Sequence, residues 1–290
     1  MDTSLALAIA GIANGCVYAL VALGFVMIWK ATEIVNFAHG ELLMLGGFCG
    51  LGLAALGWPW PLALAGAALA GALFGLLAER TVLRPLLGQP HIPIVMTTLG
   101  LGFMLKGGIT MIPGIGPETH ALPTPFSGQT VRLGHIAVAA DHLLVIGVTL
   151  ALGVLLYGFF YATRLGHALR ATAQNPRGAQ LVGIPLPRMH GIVWALAAGL
   201  AAVAGVLLAP VTFVHAHMGL IGLKALPAAV IGGFGSVPGA VVGGLLLGLV
   251  EAFAGFYAPD GVKDVAAHVL VLAVLLVRPT GLFGRPQENT

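Results

Sequence analysis

Residues 223–253 read LKALPAAVIGGFGSVPGAVVGGLLLGLVEAF. The run is almost wholly apolar, yet Pro227, Gly232, Gly233, Gly235, Pro238 and Gly239 fall within its first 17 residues. Proline removes an intrahelical donor and glycine weakens a helix interior, so one straight helix is improbable here. Gly232, Gly233, Gly235, Pro238 and Gly239 mark the expected helix break. A broken apolar segment at membrane depth is tolerated only where protein buries it or a cavity receives it. The segment therefore predicts a helical hairpin within a larger bundle.

The rest of the chain agrees. Hydrophobic residues make up 58% of the 290 and charged ones 8%, against about 25% charged in soluble domains. The 43 glycines include small-xxx-small spacings such as Gly11/Gly15, Gly71/Gly75 and Gly244/Gly248, which suit close helix approach in lipid. Apolar runs are read as bilayer spans near 4–28, 42–57, 61–78, 92–112, 143–162, 191–210 and 264–277, of which 42–57 and 264–277 are short and extend into the flanking polar residues. The expected fold is an all-α integral membrane protein, a polytopic bundle of about seven spanning helices plus a broken, re-entrant hairpin, forming a single domain over residues 1–290.

Charge orients the spans. With the N-terminus outside, Lys30, Arg80, Arg84, Arg164, Arg170, Arg177, Arg188, Arg278 and Arg285 fall on the cytoplasmic side. Arg132, Lys224 and Lys263 remain outside, and Lys106 lies within a span. The hairpin follows from the same bookkeeping, because 211–222 and 252–263 are both external only if 223–251 enters and returns. Residues 113–141, rich in Pro, Gly, Ser and Thr, form an external loop of irregular structure or a short hairpin.

The stretch RLGHALRATAQNPRGAQLVGIPLPRMH (164–190) interrupts this apolar chain. Asn175 is an N-cap, Pro176 fits the first helical position, Gly183 suits the position after the last turn, and Pro185 stops continuation. A short helix over 176–182 results, with Leu181 and Val182 available to a partner. The alternative is a solvated loop at 163–190 whose arginines only fix topology.

Motif-borne chemistry is thin. No phosphate-binding G-x-x-x-x-G-K-[ST], H-E-x-x-H or G-x-S-x-G occurs, so ATP hydrolysis by that loop, zinc proteolysis and nucleophile-elbow hydrolysis have no support. The spread of basic residues gives no nucleic-acid footprint. Cys16 and Cys49 suggest neither a disulfide framework nor a metal site, and the His215/His217 pair is a poor ligand set. Charges within apolar runs are costly unless they face a partner or cavity. Lys106 is the most exceptional of these, either snorkelling or taking a pore or structural-pair role, while Glu41 sits at a helix start, where the dipole stabilises a carboxylate, and Glu251 and His268 lie near interfaces. Asn36, His39 and Glu41 cluster between two spans, where they order the loop or meet a solute. Val35-Asn-Phe-Ala-His39 is echoed by Val211-Thr-Phe-Val-His215 on the opposite face, as an inverted repeat would leave.

The strings 14–47 (NGCVYALVALGFVMIWKATEIVNFAHGELLMLGG), 170–184 (RATAQNPRGAQLVGI), 223–252 and 278–284 (RPTGLFG), with Glu79-Arg80 and Arg84-Pro85, closely resemble the branched-chain amino acid ABC importer permeases, in particular the shorter of the two permease subunits. The resemblance implies a multi-pass protein of the bacterial cytoplasmic membrane that is not itself an enzyme. It also implies a second permease, favouring a heterodimer, two cytoplasmic ATPases that use the ATP, and a periplasmic binding protein. No cofactor is implied in this chain. Residues 176–182 would be the coupling helix, with Asn175, Pro176, Arg177, Ala179, Leu181, Val182 and Gly183 carrying the ATPase contact. Asn14, Asn36 and Glu41 would line the translocation path. One departure is that the Glu-Ala-Ala-x-x-x-Gly loop signature of other ABC importers is reduced to Ala179-Gln-Leu-Val-Gly183. A urea or short-chain amide permease shares much of this pattern, and an ion-coupled secondary carrier would also use broken helices.

Overall fold

The computed structural model describes residues 2–133, 136–259 and 261–284; Arg285, counted above as cytoplasmic, lies outside them. Twelve α-helices occur among the described residues. Helix α1 (Asp2–Thr32) is followed by α2 (His39–Ala55), α3 (Trp60–Ala78) and α4 (His91–Thr110). A β-hairpin, β1 (Thr130–Leu133) against β2 (Ile136–Ala139), precedes α5 (Ala140–Ala162), α6 (Arg164–Gln174) and α7 (Pro176–Leu181). Then come α8 (Leu186–Thr212), α9 (Met218–Leu223), α10 (Ala225–Gly232), α11 (Val237–Tyr257) and α12 (Val262–Val277).

Among the described residues, six helical stretches are long and apolar enough to cross a membrane: Thr3–Thr32, Trp60–Leu86, Ile92–Thr110, Ala140–Ala162, Leu186–Thr212 and Val237–Tyr257. The three shorter apolar ones, His39–Ala55, Met218–Gly232 and Val265–Val277, include both spans that read short in the sequence. The structure is thus a polytopic helical membrane protein. Helix α8 is buried along most of its length, whereas α5 lies at the periphery, with only Ala140 and Val145 fully buried.

Glycines set the helix contacts. A Cβ at Gly71 would meet Ala202 and Ala198, and one at Gly75 would meet Ala198 and Trp194, so α3 lies tightly on α8. In the same way Gly15 faces Leu245, and Gly248 faces Gly15 and Gly11, joining α1 to α11. Small residues permit this approach where lipid gives no hydrophobic exclusion between helices.

The broken segment is a hairpin, as its sequence demands, but its first limb is longer than the sequence suggests. That limb begins at Met218, bends at Lys224 and ends at Gly232. Gly233, with φ of 95°, makes the turn, Ser236 caps α11 by accepting from the Gly239 amide (3.1 Å), and Pro238 occupies its first turn. Gly239 packs directly on Gly232, where any side chain would collide. The tip reaches the end of the bundle that holds the close of α1 and the residues after α12. Trp29 packs on Phe234 with the rings tilted (5.3 Å between centroids), and the Leu282 and Phe283 amides donate to Ile231 and Gly232 carbonyls. Lys224 is therefore inside the limb rather than on the external face. Its ammonium lies 3.5 Å from the Glu251 carboxylate, which also accepts from the Tyr18 hydroxyl at 2.5 Å. Glu251 is 1% exposed, so this carboxylate belongs to the core, not to an interface.

Candidate functional site

The candidate site residues gather at an elbow between α5 and α8 and at a junction deep in the bundle. The elbow is specified locally. The Thr163 hydroxyl accepts from the Gly166 amide (3.0 Å) and starts α6, whose Gly166, Leu169 and Thr172 face the bundle. Arg170 lies over the Tyr161 ring at 4.3 Å. Asn175 ends α6 and caps α7, its Oδ1 accepting from the Gly178 amide at 2.8 Å. At the far end Ile184 N–H donates to Ala179 and Gly183 N–H to Gln180, with Gly183 at φ 83°. That is the Schellman pattern, in which a left-handed glycine closes the last turn. Ala179 is buried against the bundle, whereas Leu181 and Val182 are 89% and 77% exposed at the tip, with Arg177 exposed beside them. Two apolar side chains held outward by a doubly capped turn form a contact surface on the basic face of the molecule.

The junction forms where two chain reversals meet. After α1, Glu33 (φ 56°) turns the chain and residues 34–36 run back into the bundle to start α2 at His39. After α8, Phe213 (φ 63°) does the same and α9 starts at Met218. The two reversals are alike in detail. Asn36 Oδ1 accepts from the Ala38 amide (3.0 Å) and its carbonyl from His39 N–H (3.1 Å). His215 Nδ1 accepts from the His217 amide (3.2 Å) and its carbonyl from Met218 N–H (3.1 Å). The packing of α1 on α11 mirrors that of α8 on α3. The two turns thus share one hydrogen-bond pattern, with Asn36 in the place of His215. This shifts by three residues the correspondence that the VNFAH and VTFVH strings suggest.

The two halves touch at glycines. A Cβ at Gly40 would strike the Gly219 carbonyl, and one at Gly222 would stand 2.7 Å from Gly40 Cα. Gly219 also leaves room for the Glu41 carboxylate. Around this contact Asn36, His39 and Glu41 are buried, and Asn36 Nδ2 and Glu41 Oε2 have no hydrogen-bond partner among the described residues. The His39 ring sits edge-on to Phe25 at 4.6 Å over Gly24. From α4, a Cβ at Gly102 would stand 3.5 Å from Glu41 Cγ, and the Lys106 charge acts on the carboxylate. Lys106 also lines a cavity of about 250 Å³ with Thr110, Thr119, His215 and His217 on the external side. His215 in that loop has its pKa lowered by burial and then by the neighbouring His217. Asn14 is not brought to this junction: it is half-buried in α1, ten residues before Gly24, or about 15 Å along the helix.

A family model described as "Branched-chain amino acid transport system / permease component" matches residues 7–278. The chain belongs to this family. The high-affinity branched-chain amino acid transport system permease protein LivH of Escherichia coli K12 is 34% identical over 293 residues, covering 96% of this chain and 94% of that protein. BraD, the corresponding permease protein of Pseudomonas aeruginosa, is 34% identical over 292 residues with the same coverage. A probable LivH of Methanocaldococcus jannaschii is 28% identical over 277 residues, 91% of this chain and 88% of its own. As a member of the branched-chain permease family this chain is a multi-pass membrane transport component. The glycines at 24, 40, 219 and 222 that shape the junction are not distinguishable by pattern from the other glycines of the sequence. The only local signal for them was their nearness to Asn36, His39 and His215.

Proposed function

We propose that this chain is one of two non-identical permeases of a bacterial importer for branched-chain amino acids. It works with two cytoplasmic ATPases that use the ATP and with a periplasmic binding protein that delivers the substrate. The carrying observation is α7. A helix of six residues is not stable by itself, yet both its ends are satisfied and its tip presents Leu181 and Val182 outward. That is the form of a rigid contact for another protein, and the ATPase is the partner that a permease without a phosphate loop requires.

Motion has a direct route inward. Helix α7 joins α8 through Gly183 and Pro185, and α8 is the buried axis of the bundle. On α8, Ala202 and Gly205 press on Gly46 and Leu43 of α2. Displacing α7 therefore shifts α2, whose first turn carries Glu41 at the junction. There Asn36 and Glu41 supply polar groups to a passing zwitterion, whose charges are costly in an apolar medium.

The test is ATP-driven leucine uptake in proteoliposomes holding all subunits. The Leu181→Asp/Val182→Asp variant is expected to lose ATPase co-purification and uptake while its elution profile in detergent stays unchanged. Uptake and co-purification at wild-type levels would refute the assignment.

A further inference from the structure

On the basic side of the bundle a groove of about 770 Å³ opens between α3, the π turn that follows it at Glu79–Leu83, and the start of α8. Its rim holds Arg80, Arg84 and Arg188, and its wall is made of exposed leucines of α3, among them Leu73 and Leu77. Gly191 forms the floor, where a side chain would meet Leu76 and the Glu79 carboxylate.

The π turn explains the convergence of charge. In an α-helix residues five apart point about 140° away from one another, at about 100° per residue. Here the Arg84 amide donates to the Glu79 carbonyl, so the two residues stack. Their side chains form a two-pronged bridge at 3.2 and 2.8 Å, and Arg84 also donates to the Pro187 carbonyl at 3.0 Å. Glu79 is buried and fixes Arg84 in place. Arg80 and Arg188 have no acidic partner among the described residues. Three guanidiniums less one carboxylate leave two positive charges over an apolar wall.

Charge asymmetry puts this face in the cytoplasm, where the leaflet is anionic. We propose that the groove binds an anionic phospholipid of the cytoplasmic leaflet. Its phosphate sits between Arg80 and Arg188, with the immobilised Arg84 behind, and an acyl chain lies along Leu73 and Leu77. Guanidinium matches a phosphate in shape as well as charge. A single molecule then satisfies both the free charge and the apolar wall, which an acidic protein segment would leave uncovered.

The experiment is native mass spectrometry of the full-length chain in mild detergent, titrated with phosphatidylglycerol or phosphatidylcholine. One phosphatidylglycerol is expected to bind with at least about tenfold preference, and Arg80→Gln/Arg188→Gln to abolish that preference without altering phosphatidylcholine adducts. Equal binding of the two lipids, or a preference that survives the double substitution, overturns the proposal. Should the glutamine variant fail to elute as a single species, Leu73→Trp/Leu77→Trp fills the wall and leaves the arginines. Loss of the bound lipid then supports the site, and its retention overturns it. In the assembled transporter, crosslinking of Arg80→Cys to another subunit with exclusion of lipid would make the groove a protein interface and also overturn the proposal.

Discussion

Replacing Lys224 by methionine should cost more than replacing Lys224 and Glu251 together. In the native protein the Glu251 carboxylate, 1% exposed, is held by Tyr18 at 2.5 Å and Lys224 at 3.5 Å. Lys224→Met leaves the charge with the hydroxyl of Tyr18. Breaking a buried pair on one side costs about 3–5 kcal/mol. The lysine side chain is 27% exposed, and a chain unfolded in the membrane also finds partners, so about 2–3 kcal/mol is the expected loss. Glu251→Gln keeps an acceptor for Tyr18 but removes the negative charge 3.5 Å from the Lys224 ammonium, for about 1.5–3 kcal/mol. The double substitution removes both charges and should fall within about 1–2 kcal/mol of the wild type. The cycle thus predicts a coupling of about 1.5–5 kcal/mol, measurable by steric-trap unfolding in bicelles. Additivity of the two single losses to within about 0.5 kcal/mol would refute the pairing and the placement of Lys224 inside the limb.

Gly46→Leu drives a side chain into the Ala202 backbone and should destabilise the bundle by at least about 1–3 kcal/mol, while Gly52→Leu, with open space at its Cβ, should stay within about 0.5 kcal/mol. Thermal unfolding of the two variants in detergent decides this. Asn175→Ala removes the cap on α7 and should cost about 1 kcal/mol locally, seen as faster amide exchange at residues 176–182 and reduced coupled uptake with little change in global melting temperature. Phe213 has φ 63° and ψ 167°, a region that is essentially glycine's. Phe213→Gly should therefore raise the melting temperature, corresponding to about 1–2 kcal/mol, and a lower value would show that the ring's contacts outweigh the strain.

Much of this architecture is legible from local pattern. The spans follow from apolar length, and the bounds of α7 follow from Asn175, Pro176 and Gly183, because capping is settled within a few residues of the helix end. What the pattern misses is depth. Hydropathy reports that 39–55 is apolar, but not that α2 starts beside Gly24, well short of the end of α1. The position of Lys224 is hidden for a related reason. Counting charges assumes that each seeks water, whereas Glu251, far along the chain, supplies a partner. The pairing of Glu79 with Arg84 is hidden because a spacing of five pairs nothing in a regular α-helix, and only the π turn brings them together. The likeness of the two turns is visible as an echo, yet its register is set by hydrogen bonds to residues 38 and 217, not by letter identity.

Although the halves share one plan, they differ in stiffness. In the first, α2 is an unbroken rod of 17 residues. In the second, the corresponding limb is jointed, with six residues, a bend at Lys224, eight more, and a glycine turn. When the two are pushed against each other across Gly40 and Gly219, the rod transmits and the jointed limb yields. A symmetric scaffold thereby acquires a driving arm and a compliant one.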